Sequence, residues 1–536
     1  MANKTEVIDI DYPSLHALIA RVEHAIDNEL ALTSDDMRLL LGAINTLLEV
    51  QTKLDEKNIT LNKLRKLLGM VKSSEKRNTP QDQSTDTHNK QSRSNNKTKK
   101  PRKPKKPFEP KKVVHHKLAT ATKGDRCPQC GTGTLRKYDP KVVLRMSGSS
   151  PFTAEKHVVE RLKCDLCDAV ITADLPRELV QDGGVDHHYG YSARSVMAIF
   201  KHFSGVPYYH QETLNDLFGC PITASTIFDQ CEYLANDCMP LFHQMMREAA
   251  NAKLFYIDDT SNRILNQKGE VRPTRNGKGT RLRTGIYTSG LIAVMASGHR
   301  LFLYNTNLGH AGEFIDHILE KRDPDLSEPI IMSDALSSNT PTVATAFKTA
   351  YCNAHGRRQF LDVENNFPEE VDYIVSLYGN IWQHDGEASA QEYTDQQRLD
   401  HHKTHSLPVM NTIKTWCVDQ VNAPDAEQHS GLLKACRYFI NHYDGLTLFC
   451  SEPGAPIDNN VMEEGLKVKI RTRKTSHFYK TQVGADVANV LTSVIATAYR
   501  NDCNAFEYLN RIQANRKEVK LNAQKWLPWN QIDDTS

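Results

Sequence analysis

Three stretches of this 536-residue chain place acidic residues where a strand reads as ending or a helix as beginning. Asp258-Asp259-Thr260 follows the apolar run Lys253–Ile257, and Asp334 follows Ser333 after the run Pro329–Met332. Glu463 and Glu464 lie in Ile457-Asp-Asn-Asn-Val-Met-Glu-Glu-Gly-Leu466, ahead of Lys467, Lys469, Arg471, Arg473 and Lys474. Carboxylates so placed suit phosphodiester chemistry. An in-line displacement at phosphorus needs an activated water and a stabilised leaving oxygen, and two divalent ions about 3.5–4 Å apart supply both. Mg2+ takes few protein carboxylates and leaves places for water and phosphate. Two Asp at neighbouring strand ends and one acid from a helix meet that need. Each acid also has a plainer reading: a strand-end Asp often caps a helix or makes a turn, and a charged helix is often only solvated. Adjacent helical positions point about 100° apart, so only one of Glu463 and Glu464 can face such a site.

A second chemistry is written in sulfur. Of the twelve cysteines, four form the pairs Cys127-Pro-Gln-Cys130 and Cys164-Asp-Leu-Cys167. Four thiolates suit a closed tetrahedral Zn2+ site of structural kind, and the scattered remainder argues against a disulfide framework. The text between the pairs, Leu135–Met146 and then Ala154–Lys163, reads as two strands of a hairpin on which such knuckles sit.

The elements needed to position these residues follow from the pattern. After Lys253–Ile257, the segments Arg281–Ser289, Gly290–Ser297 and His299–Thr306 read as strands broken by Ser-Gly turns; a helix over Gly312–Lys321 and the strand Pro329–Met332 follow. A ribonuclease-H-like α/β core has this order. Residues 181–250 read as helical, with Gln211–Phe218, Gly219 and a helix opening at Thr223 in helix-turn-helix proportions. Leucines at 40, 47, 54, 61 and 68 mark a zipper-like helix, capped by Thr33-Ser-Asp-Asp, that suits self-association. Its a positions, Met37, Ile44, Gln51, Asn58 and Arg65, are mostly polar, so a helix packed on its own chain is the plainer alternative. Between Lys97 and Lys112 stand nine Lys or Arg and a single acid, Glu109. The Pro-rich run Lys99, Lys100, Arg102, Lys103, Lys105 and Lys106 can follow phosphates or enter a minor groove. The net charge of +2 conceals this block.

The expected organisation is a multidomain α/β chain: a zipper-like helical segment at 1–71, a disordered basic linker at 72–112, a four-cysteine zinc module at 113–180 and a helical DNA-binding region at 181–250. The core follows at 251–512 with a helical insertion over about 354–450, and then a tail at 513–536. The N-terminus carries no secretory pattern and no apolar run is long enough to span a bilayer, so the expectation is a cytoplasmic, nucleoid-associated protein with no membrane partner.

The chain also resembles the insertion-sequence 66 family of bacterial transposases, members of the DDE superfamily, from its N-terminal helix to about Ile512. The resemblance rests on Ile257-Asp258-Asp259-Thr260, on Cys352-Asn-Ala-His355-Gly-Arg357-Arg358-Gln-Phe360, and on Ile457-Asp458-Asn459-Asn460 with Glu463 and Leu466. Arg473-Lys474, Ser493–Thr497 and Tyr508-Leu509 extend it. It implies that Asp258, Asp334 and Glu463 are the catalytic acids and Mg2+ (or Mn2+) ligands, with a helical insertion before the Glu. It makes His355, Arg357, Arg358, Arg473 and Lys474 candidates for contact with DNA. It also implies element ends and target DNA as substrates, a homo-oligomer, and accessory proteins from the same element. This chain has Asp259 where the family usually has Glu and Glu464 where it usually has Arg. Ser476-His477-Phe478 replaces the region of the usual Trp. The alternative reading is a zinc-containing DNA-binding protein, or an inactive derivative, that binds without cutting.

Overall fold

The computed structural model describes residues 12–28, 30–43, 122–126, 132, 134–136, 150–163, 170–183, 188–273, 279–342, 345–423 and 430–530. The four paired cysteines, the basic run Lys99–Lys106 and all zipper leucines but Leu40 lie outside these residues. The chain divides into two compact units, Met1–Pro140 and Lys141–Ser536, each described by itself.

In the first unit, helix α1 (Tyr12–Asp27) buries Leu18. Residues 34–43 form a second helix. Thr33 caps it, its hydroxyl accepting the Asp36 amide at 3.1 Å, and Arg21 donates to the Asp36 carboxylate at 2.9 Å.

In the second unit, strand β1 (Arg161–Lys163) pairs antiparallel with β2 (Val170–Thr172), Lys163 opposite Val170. The two strands flank residues 164–169 in sequence, the stretch that holds the second cysteine pair and lies outside the described residues. The expected hairpin lay between the two pairs, and its strand over Ala154–Lys163 shrinks to Arg161–Lys163. Helices α2 (Tyr191–His202), α3 (Tyr208–Leu217) and α4 (Ala224–Ala250) follow. Gly219, at φ +75°, ends the α3 turn where a side chain would be strained, and Thr223 caps α4 through the Thr226 amide. The expected pair of helices is present. However, α4 is a long core helix, burying Ile227, Cys231, Leu234, Leu241 and Met245, and it carries Asp229, Glu232, Asp237 and Glu248 against a single Arg247.

The centre is a five-stranded mixed sheet. Its strands are β3 (Leu254–Asn262), β6 (Ile286–Val294), β7 (Arg300–Asn307), β8 (Ile330–Ser333) and β9 (Lys348–Tyr351). They lie in the order β7-β6-β3-β8-β9. Strand β6 pairs antiparallel with both β3 and β7, whereas β8 runs parallel to both β3 and β9. A two-stranded ribbon, β4 (Glu270–Pro273) with β5 (Thr280–Arg283), projects between β3 and β6. Helix α5 (Ala311–Leu319) links β7 to β8. After β9 come α6 (Asn353–Leu361), α7 (Pro368–Ala390), α8 (Asp395–Asn422) and α9 (Gly431–Asn441), then α10 (Asn460–Ser476), α11 (Gln482–Arg500) and α12 (Ala505–Ala514).

The sheet is covered on both faces. Phe255, Ile257, Leu291, Ala293, Leu301 and Leu303 join the core built with α2, α4, α5 and α11. Leu254, Tyr256, Ile292, Phe302 and Tyr304 alternate with them into a second core with α10 and the helices α6–α9. The segment after residue 512, set aside from sequence as a tail, contributes Val519, Trp526 and Leu527 to the first core.

Two expectations about strands are corrected. Ser289-Gly290 is not a turn but the middle of one continuous strand, β6; the residues read as its first half, Arg281–Arg283, belong to the separate ribbon strand β5. Gly290 is there for packing: a Cβ would stand 2.4 Å from Met462 Cε and 2.9 Å from Leu466 Cδ2, both on α10. Strand β3 also continues past Ile257 to Asn262, paired throughout with β6 but with β8 only over Leu254–Tyr256. Among the described residues no helix is long and apolar enough to cross a membrane.

Gly290→Val should lower stability by about 1–3 kcal/mol by forcing α10 off the sheet. Urea unfolding checks this; an unchanged midpoint would show that α10 does not need that close approach.

Candidate active site

The period of two along β3 separates its two acids. Asp258 continues the series Leu254, Tyr256, and so projects on the α10 side, directly across from Gly290 in the register. Asp259 continues Phe255, Ile257 and projects on the α5 side. There its Oδ2 accepts a hydrogen bond from His310 Nδ1 at 2.7 Å. His310 is the residue before the first turn of α5, and its ring lies against Tyr287 with centroids 4.0 Å apart.

Parallel β8 stops at Ser333, which puts the buried Asp334 beside the part of β3 that β8 no longer covers. Asn339 Nδ2 donates to Asp334 Oδ1 at 2.6 Å, and the Leu336 amide donates to the same oxygen at 3.3 Å. Glu463, in the first turn of α10, comes to the same end of the sheet. Its Oε1 lies 3.7 Å from His355 Nε2 and 3.9 Å from an Arg358 nitrogen, yet is buried with no hydrogen bond. Glu464 points elsewhere, exposed and accepting from Arg500 at 2.9 Å. The gathering is felt electrostatically. Burial, then the charge of Asp334, with smaller parts from Asp259 and Glu463, raises the Asp258 carboxyl from its ordinary 3.8 to about 7; the Asp259 amide, donating to Asp258 Oδ1 at 2.8 Å, opposes the rise.

Two buried asparagines hold this arrangement. Asn459, fully buried ahead of α10, donates from Nδ2 to the Ile257 carbonyl at 2.9 Å, and its amide donates to Cys352 Sγ at 3.2 Å. Asn353, at the start of α6, donates from Nδ2 to the carbonyls of Leu446 at 2.9 Å and Ile457 at 3.1 Å. The starts of α6 and α10 are thereby fastened to one another and to the residue preceding Asp258.

The residues expected from sequence are distributed as follows. Asp258, Asp334, Glu463, His355 and Arg358 come together. Arg357 is half-buried, within electrostatic range of the Tyr378 hydroxyl. Arg473 is tied to β3, donating from one terminal nitrogen to the Thr260 and Ser261 hydroxyls at 2.9 and 3.0 Å. Lys474 is exposed. Sequence reasoning assigned no role to His310, Asn339, Asn353 or Asn459. Asn459 stood inside a quoted motif, and its position before a charged helix was the available signal; His310 and Asn339 gave none, because their partners are distant in the chain or set by the loop after β8.

The donors fit a hard divalent cation. They are all oxygen, they crowd negative charge onto Asp258, and Glu463 presents a buried oxygen without a hydrogen bond. Among the described residues no group of three or more His, Cys, Asp or Glu side chains is arranged to hold a metal ion. That is compatible with Mg2+, which uses one or two protein carboxylates and completes its shell with water and phosphate.

Two outcomes follow. Folded Asp258 keeps its proton where the unfolded chain has lost it, so this group's contribution to stability is lost as pH rises from about 4 to about 7 and falls no further above that. In metal-free buffer Asp258→Asn removes the loss, so its urea midpoint should gain on the wild type between about pH 4.5 and about pH 8; a gap that does not change with pH contradicts the raised carboxyl. Asn459→Ala should destabilise by about 1–3 kcal/mol, measured the same way, because it leaves buried groups without partners.

Comparison with known proteins places this geometry in a family. The model of the Transposase IS66 family matches residues 187–487, more than half of the chain and the whole span from α2 through the start of α11. Two proteins of Sinorhizobium fredii are similar. The uncharacterized protein y4jD is 30% identical over 193 residues, 35% of this chain and 37% of that protein, so the match spans little more than a third of this relative's length. The uncharacterized protein y4hP is 21% identical over 423 residues, 75% of this chain and 73% of that protein. That span contains Asp258, Asp334 and Glu463, and the chain belongs to the IS66 family of transposases.

Proposed function

We propose that the chain cuts the phosphodiester backbone at the ends of its own element and joins the freed 3′ end to target DNA. The observation that carries this reading is the approach of Asp258, Asp334 and Glu463, from three distant segments, to one end of the sheet, where burial first, then the charge of Asp334, and to a smaller extent those of Asp259 and Glu463, raise the Asp258 carboxyl. The strand order β7-β6-β3-β8-β9, three antiparallel strands and two parallel additions, supports a ribonuclease-H-like core.

In this reading Asp258, Asp334 and Glu463 hold two Mg2+ (or Mn2+) ions. When bound, such ions activate the attacking oxygen and stabilise charge on the leaving one. The chain's own groups set the geometry. Asn339 fixes the Asp334 carboxylate, the Asp259 amide fixes Asp258, and His355 and Arg358 offer N–H donors beside Glu463 to phosphate oxygens. Attack by water on phosphorus breaks the P–O3′ bond and leaves a 3′-hydroxyl. That hydroxyl then attacks a target phosphodiester: a new P–O3′ bond forms as the target strand's own P–O3′ bond breaks, and the proton lost by the attacking hydroxyl passes through water to the departing target O3′.

The four cysteines Cys127, Cys130, Cys164 and Cys167 are proposed as a structural Zn2+ site; the pairing of β1 with β2 on either side of residues 164–169 supports a knuckle at the second pair. The basic run Lys99–Lys106 and exposed Lys474 are proposed DNA contacts, and the zipper helix is a proposed means of bringing subunits together.

Asp334→Asn keeps an acceptor for Asn339, so it should preserve folding and gel-shift binding of an end-containing duplex. It should lower Mg2+-dependent strand cleavage at least about a hundredfold, the equivalent of several kcal/mol of charge stabilisation. Retained cleavage defeats the assignment. Binding by the wild type with no nicking in Mg2+ or Mn2+ would instead establish the binding-only reading.

A further inference from the structure

The ribbon that projects between β3 and β6 takes no part in the proposed chemistry. From Lys268 to Arg283 the sequence carries six Lys or Arg and a single acid, Glu270. The register sets Glu270 opposite Arg283, Val271 opposite Leu282 and Arg272 opposite Arg281. Directly opposed residues of an antiparallel pair share a face, as do alternate residues along each strand. One face of the ribbon therefore gathers Arg272, Arg281 and Arg283 around Glu270. The other shows Val271 and Leu282, 68% and 58% exposed. Two arginines directly opposite one another repel, and a two-stranded ribbon is marginally stable by itself. An anion laid across the pair relieves that repulsion.

The ribbon is firmly rooted, and rooted beside the acids. Ile264 and Ile286, at its base, are buried with Leu308 and Ala485. The Leu265 amide donates to the Tyr479 carbonyl at 2.9 Å, the Asn266 amide to the Lys480 carbonyl at 3.1 Å, and the Tyr479 amide to the Arg263 carbonyl at 2.9 Å. The base is thus stitched to the segment that leaves α10, the helix of Glu463. Asn262, the last residue of β3, stands four residues beyond Asp258, about 13 Å along the strand. Arg272, Arg281 and Arg283 line a groove of about 880 Å3 that also takes in His310, the partner of Asp259, and Ser337 and Ser338, which follow Asp334.

The acids of this groove are already engaged. Arg272 pairs with Glu270 at 3.0 Å and with Glu313 at 3.5 Å, and Glu313 is shared with Arg283. Asp316 accepts from the Thr342 amide and hydroxyl, both at 2.7 Å. Arg281 is exposed and, among the described residues, makes no ion pair; the same holds for Arg263 and Lys268 near the base and for Lys480 beside it. Exposed cations without partners, on a ribbon whose base is fixed, suit a polyanion. A two-stranded ribbon is also of a width that the DNA major groove admits, with phosphates along both its edges.

We propose that the β4–β5 ribbon and its base form an arm that grips the DNA backbone next to the acid site, with Arg263, Lys268, Arg281 and Lys480 on phosphates. The inference rests on the proposed reading of DNA as substrate and adds where the duplex lies. Contacts to phosphate position the duplex without reading its sequence.

The test measures binding of the full-length chain to a fluorescent end-containing duplex, and to a scrambled one, by anisotropy in metal-free buffer at rising KCl. Each phosphate contact contributes about 0.9 to the slope of log affinity against log salt. Arg281→Gln should therefore lower the slope by about one for both duplexes, and Arg263→Gln with Lys268→Gln and Arg281→Gln by about three, with affinity down at least about tenfold at fixed salt. These side chains are exposed and unpaired, so the fold should persist, which circular dichroism verifies. A folded triple variant with the wild-type slope overturns the arm, even where the wild type nicks DNA in Mg2+. A lowered slope in a chain that never nicks leaves the arm standing and removes the cutting reading instead. A wild type that binds neither duplex overturns both. If Val271→Ser with Leu282→Ser dissociates an oligomer in sedimentation while the triple variant keeps its slope, the ribbon is a protein contact and the proposal fails.

Discussion

A side chain on a strand can face only one side of the sheet, and the site depends on that constraint at β3. Asp258 shares the face of Leu254 and Tyr256, where α10 packs, and Asp259 shares the face of Phe255 and Ile257, where α5 packs. A slip of one residue in the pairing with β6 would exchange them and turn the hydrophobic residues of both cores inside out. The same register places Gly290 across from Asp258, and the missing side chain lets α10 approach closely enough to bring Glu463 over the sheet. Chemistry and packing are therefore fixed by one pairing.

Bringing carboxylates together opposes folding, and the fold has to hold them there. The apolar contacts of Met462 and Leu466 supply the force that seats α10. Asn459 and Asn353 supply direction, since each joins segments far apart in sequence through buried hydrogen bonds whose loss would leave unpaired groups. Burial first, and then the charge of Asp334, raises the Asp258 carboxyl. In the proposed function a divalent cation would relieve the repulsion that the packing enforces. On the opposite face the pairing of Asp259 with His310 gives the second acid its own partner and keeps it out of the trio.

Much of this could be read in the chain, and the failures have physical causes. The apolar runs before Asp258 and Asp334 marked real strands, and the resemblance chose the neighbours that strand alternation and helix geometry also favour. Ser289-Gly290 misled because glycine reads as a turn residue when nothing local reveals a helix pressing on it. Strand β9, Lys348–Tyr351, escaped notice because its short mixed sequence gains strand geometry only from pairing with β8. The residues after 512 looked like a tail because Val519, Trp526 and Leu527 are spaced too irregularly to announce a core they join only through folding.

The sequence by itself determined the chemical inventory: the acids, the cysteine pairs, the basic run, the order of strands and helices, and the motifs that carry the family resemblance. These are properties of composition and local period, which a linear chain displays. The tertiary structure decided which acid of each neighbouring pair meets the others, what holds them, and that Arg272 comes to lie opposite Arg281. Those outcomes depend on register, on which face of a helix is buried, and on contacts between residues 202 positions apart, as between Asn459 and Ile257. No local period encodes such contacts; they follow from burying two cores against one sheet.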